Sequence, residues 1–238
     1  MNVTIIGAGR AGTSFHLALS RAGHVTRLIH HERAAALEDA DLVMLCVPDD
    51  EIAVVAQAVP VRDEYVVAHV SGSRGLDALA RHRRVASIHP LMTLPTGEIG
   101  SRRLVGATFC VSGDPLGAEL VASLRGQTIT IDDQQRTAYH AAAAVAANHL
   151  VALMGHVEQL ARSAGLSLEV FLPLARQALE DVAEFGPQRA LTGAASRGDM
   201  TTIDAHLAAI PESERPTYVA MANCAFELAE RHRSQTHA

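Results

Sequence analysis

The sequence predicts an α/β protein, a doubly wound parallel sheet followed by a smaller all-α domain. Three observations predict it. A β-branched run at residues 3–6 enters the loop Gly7-Ala8-Gly9-Arg10-Ala11-Gly12, and a helix-permissive segment leaves it. Strand and helix signals then alternate as far as residue 131. From residue 132 onward the strand signals stop and long Ala-rich helical segments take over. The division between the two parts is therefore expected at residue 131.

The first element carries the most chemistry. Strand, Gly-x-Gly-x-x-Gly loop and helix, in that order, form the Rossmann-type cradle for a dinucleotide pyrophosphate. Gly7 permits the tight turn, Gly9 lets the backbone approach phosphates, and Gly12 lets the helix pack close to the strand. Arg10 and Ala11 lie inside the loop, where Arg10 can neutralise phosphate charge, and the helix expected over residues 13–22 offers free N–H groups and a partial positive charge to an anion. Residues 24–29 read as the second strand. It ends in His30-His31-Glu32-Arg33, where an NAD site carries an acid for the ribose hydroxyl. With His30 at the strand end and Arg33 close behind, NADP is favoured over NAD. Glu32, two residues later, is the feature that would suit NAD.

Residues 41–48 form a nearly continuous apolar run, as expected of a strand buried on both faces. The carboxylates Asp49, Asp50 and Glu51 then open a helix. Residues 65–70 are a strand, Ser71-Gly72-Ser73-Arg74-Gly75 turns it into a helix ending near His82, and residues 85–88 are a fifth strand stopped by His89-Pro90. Strands at 106–111 and 127–131 flank a helix at 115–124. The helical part is expected as one long helix over 134–164, a second over 167–185 with Pro173 in its first turns, a loop at 192–198, and helices at 201–209 and 214–233.

Composition excludes several functions. A net charge of −6 argues against a general nucleic-acid binder. The richest apolar stretch, 141–155, contains Asn148 and His149 and does not read as a membrane span. Cys46, Cys110 and Cys224 show no Cys-x-x-Cys spacing, so they are expected as reduced thiols in a cytoplasmic protein, with no metal centre. His149 and His156 lie about 10 Å apart along a helix, too far to share an ion. All 20 cationic residues are Arg, which excludes Schiff-base chemistry and a catalytic ammonium.

The Gly loop, the run ending Cys46-Val47-Pro48-Asp49, the turn Val70-Ser71-Gly72-Ser73 and the triplet His89-Pro90-Leu91 resemble the 6-phosphogluconate-dehydrogenase superfamily. That group includes prephenate dehydrogenases, pyrroline-carboxylate reductases, ketopantoate reductases and F420-dependent NADP reductases. With Tyr139-His140…Asn148 and Thr192-Gly193-Ala194-Ala195-Ser196-Arg197-Gly198-Asp199 added, the chain is most similar to bacterial Rossmann-like proteins with a helical C-terminal domain of unknown function. Some of those are regarded as alternative ketopantoate reductases. The resemblance implies an oxidoreductase, and places Val47 and Pro48 beside its cofactor.

Ligands of an open parallel sheet sit at the carboxyl ends of its strands. Ser71 and Gly72 lie at one such end and can contact a nicotinamide, and His89 lies at another and can bind or protonate a carbonyl oxygen. Where several superfamily members use a Lys to donate the proton, this chain has His140. Asn148 is eight residues on, about 80° round an α-helix, and is expected to orient the substrate. Arg197 can fork onto a substrate carboxylate, while Asp199 reads as a helix N-cap. The expected protein is an NADP-dependent oxidoreductase of a small carbonyl-bearing carboxylate, dimerising through its helical domain. A prephenate-like or F420-linked oxidoreductase is the rival enzyme. A non-catalytic NADP-binding sensor or scaffold is the rival of another class.

Overall fold

The computed structural model describes residues 1–30, 37 and 39–236. β1 (Asn2–Ile6), α1 (Arg10–Arg21) and β2 (Val25–Ile29) begin the fold. They are followed by β3 (Leu42–Leu45), α2 (Ile52–Ala58), β4 (Val66–His69), β5 (Val85–Pro90), α3 (Gly97–Leu104), β6 (Thr108–Gly113), α4 (Leu116–Ser123) and β7 (Gln127–Ile129). The strands form one sheet in the order β2-β1-β3-β4-β5-β6-β7. β1 pairs in parallel with β2 on one side and β3 on the other, so the winding direction reverses between β1 and β3.

Period-two alternation sends successive side chains to opposite faces. On one face Val3, Ile5, Leu42, Met44, Val66, Ala68 and Ile88 pack with Phe15 and Leu19 of α1 and Leu120 of α4. On the other, Ile6, Val43, Leu45 and Val67 pack with Ile52 and Val55 of α2. Each fully buried Leu or Ile contributes roughly 1.5–3 kcal/mol over an exposed one, which explains why the central strands read as unbroken apolar runs.

Four expectations need correction. The sheet is not wholly parallel: β6 runs antiparallel to β5, with Pro90 opposite Phe109 and Ala86 opposite Gly113. The chain after β5 returns along α1 as α3, so β6 starts where β5 stopped. α3 itself, which contains Gly97 and Gly100, was not foreseen. Both glycines serve helix packing, since a Cβ would fall 2.4 Å from Thr13 Cγ2 and 2.1 Å from Ser14 Oγ. After Gly75 there is only a short 3-10 turn, Leu76–Leu79, in place of a helix to residue 82. His82, where that helix was expected to end, is buried with a ring nitrogen 2.9 Å from the Ala56 carbonyl oxygen.

α5 (Arg136–Ala144) continues through a π-helical segment, Val145–His149, into α6 (Leu150–Ser163). One extra residue in a turn shifts the phase of all later turns by roughly 100°, so the α-helical angle between His140 and Asn148 does not hold. α7 (Leu172–Phe185) starts with Pro173 in its first turn, where no N–H is needed. α8 (Pro187–Ala190), α9 (Ala194–Arg197), α10 (Met200–Ala209) and α11 (Arg215–Thr236) complete the chain. α9 occupies the segment expected as a loop. Asp199 caps α10 through Thr202 N at 3.1 Å. The compact units are Met1–Ala147 and Asn148–Ala238, so residues 132–147 belong with the sheet, whereas the compositional change lies at 131. Buried Arg136 ties α5 to β6 through Ser112. Among the described residues no helix is long and apolar enough to cross a membrane.

Candidate functional site

The site lies within residues 1–147, at the carboxyl ends of the central strands. Its first half is the glycine loop. Gly7 has φ +109°, and a Cβ there would meet the Cys46 carbonyl oxygen at 2.4 Å. A Cβ on Gly12 would meet the Gly7 oxygen at 1.8 Å. Packing against the chain itself therefore requires both. Gly9 differs: nothing lies within 4 Å of its Cβ position, it is the N-cap of α1, and no side chain caps that helix. Open space beside uncapped N–H groups at the winding reversal fits a pyrophosphate. Arg10 is exposed at the helix start and half-buried Ala11 follows it. His30 is exposed just after β2. Arg33, Glu32 and His31 lie outside the described residues.

The second half gathers around Gly72. A Cβ there would fall 2.6 and 2.7 Å from Cε1 and Nε2 of His89, and 2.8 Å from Cδ2 of His140. Two imidazoles thus already occupy the space a Gly72 side chain would need. Their ring centroids are 6.1 Å apart. His89 stands at the end of β5 and His140 on α5, so residues 51 positions apart meet only in the fold. Tyr139 reaches the same spot, with its hydroxyl 2.7 Å from His89 Nδ1.

The turn after β4 is built from within. Buried Ser71 accepts from Ser73 N at 3.2 Å and Arg74 N at 3.1 Å. His69 is fully buried beneath it. Its Nδ1 accepts from Ser71 N at 3.2 Å and its Nε2 donates to the Gly75 carbonyl at 3.1 Å. These two bonds define its tautomer. Ser73 Oγ donates to Asp49 Oδ2 at 2.5 Å, which joins the turn to the loop after β3. Val47, half-buried, and Pro48, exposed, lie in that loop.

Charge is distributed unevenly. Burial, then the neighbouring charge of His140, pushes His89 down to about 4, against the opposing pull of Asp49. Burial likewise lowers His69, although its bond to Gly75 opposes the shift. Partial burial raises Asp49, but the hydroxyls of Ser73 and Ser71, with His140 and Arg74, outweigh it and leave the carboxyl below its ordinary range. Arg136, 3% exposed, is held by Asp133 and Ser112 while its Nη1 has no hydrogen-bond partner among the described residues. Both imidazoles His69 and His89 are therefore neutral at neutral pH, each keeping a single ring proton.

Gly7, Gly9 and Gly12 thus stand after β1, while Gly72, His89 and His140 meet at the ends of β4 and β5 with Ser71 in the turn beside them. Asn148 is exposed on the π segment, and Arg197 is exposed at the end of α9 in the helical unit. Sequence reasoning missed Asp49, His69 and Arg136, and it gave Tyr139 no role. The one available signal was a histidine ending an otherwise apolar strand, Val66–His69, two residues before Ser71.

A family model described as a domain of unknown function (DUF2520) matches residues 107–225, and a Rossmann-like domain model matches residues 26–92. No curated protein matches the chain. Several solved structures share the fold. A Bacteroides fragilis protein assigned as an NADP oxidoreductase has TM-score 0.78 at 21% identity, over 95% of this chain and 98% of that one. The Thermotoga maritima protein TM1727 has TM-score 0.74 at 21% identity, over 97% and 99%. A reductive aminase from Aspergillus terreus, in complex with NADPH and ethyl levulinate, has TM-score 0.69 at 17% identity, over 95% and 93%.

Proposed function

Because the chain belongs to the DUF2520 family, with a Rossmann-like region ahead of it, we propose that it is an NADP-dependent oxidoreductase acting on a small carboxylate that carries a carbonyl group, such as a 2-oxo acid of the ketopantoate kind. The observation that carries the reading is the pairing of the two half-sites. Open space at Gly9 and an uncapped α1 suit the pyrophosphate, and the His89–His140 pair stands at the strand ends where a nicotinamide ring would lie. The nicotinamide, when bound, supplies or accepts the hydride. His30 and Arg33, in place of a strand-end acid, support NADP over NAD.

Within the chain the roles divide. His140 holds the proton that the carbonyl oxygen takes up, and neutral His89 donates a hydrogen bond. Asn148 orients the substrate and Arg197 forks onto its carboxylate. The same reading takes in imines as substrates, supported by two proteins of similar fold, a reductive aminase from Aspergillus terreus and an imine reductase from Streptomyces aurantiacus. A second copy of the chain is the proposed partner, docked on the apolar surface of the helical unit.

The test is to titrate NADPH and NADH, then follow NADPH oxidation against 2-oxo acids and cyclic imines. NADPH should bind more tightly, and His140→Ala should lower turnover by about 10²–10⁴-fold with NADPH affinity unchanged. NADPH binding with no turnover of any substrate would favour the sensor reading, and tighter NADH binding would reverse the cofactor assignment.

A further inference from the structure

We infer that Tyr139 is a positioning residue: its hydroxyl donates to His89 Nδ1 and so holds His89 as the Nε2–H tautomer, a hydrogen-bond donor turned toward the ligand. This deepens the oxidoreductase reading and rests on it for the identity of the ligand.

The geometry begins with the 2.7 Å approach of the phenol oxygen to Nδ1, with the two rings edge to face at 5.6 Å and 86°. Two proton arrangements satisfy that distance. In one, Tyr139 donates to Nδ1 and the proton of His89 sits on Nε2. In the other, Nδ1–H donates to Tyr139, and the phenol must find another acceptor for its own proton. The neighbouring candidate is Cys110, which pairs with His89 across the β5–β6 ladder and whose burial-raised thiol lies beside Tyr139. A thiol sulfur is a weak acceptor, while the lone pair of a neutral imidazole is a strong one. The first arrangement gives the phenol the better acceptor. Burial raises both Tyr139 and Cys110 above their ordinary ranges, so both keep their protons.

The other edge of the ring shows what the tautomer is for. Nε2 faces Gly72, whose missing Cβ would fall 2.7 Å from it, with His140 alongside. Nε2 has no hydrogen-bond partner among the described residues, and it is not one of the buried polar atoms left unpaired. Its proton is therefore free to meet a ligand atom. The charged and titratable groups facing His89 are His140 and Arg136 from α5, Asp49 from the loop after β3, and His69 from β4. Among the described residues no hydroxyl locks His140 in this way, and the proposed function assigns the transferable proton to it.

Long-range 1H–15N correlation spectra of the uniformly 15N-labelled full chain distinguish Nδ1–H from Nε2–H imidazoles, with the His89 signals assigned by His89→Gln. Wild type should show a protonated Nε2 and a bare Nδ1. Tyr139→Phe should convert His89 into a mixture in which the Nδ1–H form is readily detected. An Nδ1–H tautomer in wild type, or an unaltered Nε2–H signal in Tyr139→Phe, would overturn the inference. The wild-type spectrum decides even if the variant fails to fold. Because no substrate enters the measurement, its failure is separable from failure of the oxidoreductase reading.

Discussion

Residues 1–147 hide their apolar side chains between their own layers, while residues 148–238 leave theirs largely at the surface. In the first unit Ile5, Leu19, Leu42, Met44, Leu45 and Phe109 are all fully buried. In the helical unit the only buried hydrophobic residues among those described are Ala161, Ile203 and Ala229, while Val151 and Leu174 are 71% and 68% exposed. A sheet with helices on both faces closes its core with local crossovers. Helices that expose their large side chains instead forgo roughly 1.5–3 kcal/mol for each one left in water. The helical unit thus presents a surface suited to a partner, and this is what supports the second copy as that partner. Leu174, Val182 and Phe185 lie within about 80° of one another on α7 and mark the stripe.

The largest expected effect challenges this contrast directly. On a free surface, Leu174→Asp with Val182→Asp should change stability by no more than about 0.5 kcal/mol per site. In a dimer interface each buried charge costs several kcal/mol, so the double variant should be monomeric and melt much earlier. Sedimentation of wild type and variant measures this, and a monomeric wild type at micromolar concentration would end the dimer reading.

The next effect lies inside the first unit and separates packing from binding. Gly12→Val drives a side chain into the Gly7 carbonyl and should cost about 4 kcal/mol or more. Gly9→Val enters open space and should cost at most about 1 kcal/mol, yet weaken NADPH by a hundredfold or more, equivalent to about 2.7 kcal/mol. Thermal melts with and without NADPH report both quantities. Normal NADPH binding by the Gly9 variant would remove the loop from the cofactor site.

The smallest effect is acid sensitivity. His89 and His69 are held below the free imidazole value near 6.5, so the unfolded chain binds their protons first as the pH falls. Stability is therefore complete above that value and drains away from about pH 6.5 toward the His89 value of about 4. Asp49, also held low, acts in the same direction at lower pH. Partial exposure of His89 reduces the size, and the loss between pH 7.5 and 5.5 should be on the order of 1–2 kcal/mol. Urea unfolding at the two pH values measures it, and His69→Gln should flatten part of the slope. A curve that rises on acidification would contradict the buried neutral imidazoles.

The glycine loop, β1, β3 and the strand-end placement of Ser71, Gly72 and His89 were legible because each is a local pattern. A parallel strand is apolar throughout, and a phosphate loop needs its glycines at set intervals. α3 was not legible, since glycines that mean close packing with α1 look the same in sequence as glycines that mean a turn. Nor was the reversal of β6, because strand and helix signals carry no direction. The division of the units also escaped composition: α5 is Ala-rich like the helices after it, but Arg136 and Tyr139 bind it to the sheet.

Residue type and short spacing were enough to establish the α/β order, the Gly-x-Gly-x-x-Gly loop between its first strand and helix, and the absence of lysine from a chain with histidines at its strand ends. It took the folded chain to bring His89, His140 and Tyr139 together around Gly72, to set His69 beneath the turn, and to join Asp49 to it through Ser73. Apart from the local bonds of His69, these contacts join residues 17 to 68 positions apart, and they depend on how the strands are ordered in the sheet and where α5 lies against it, which long-range packing sets.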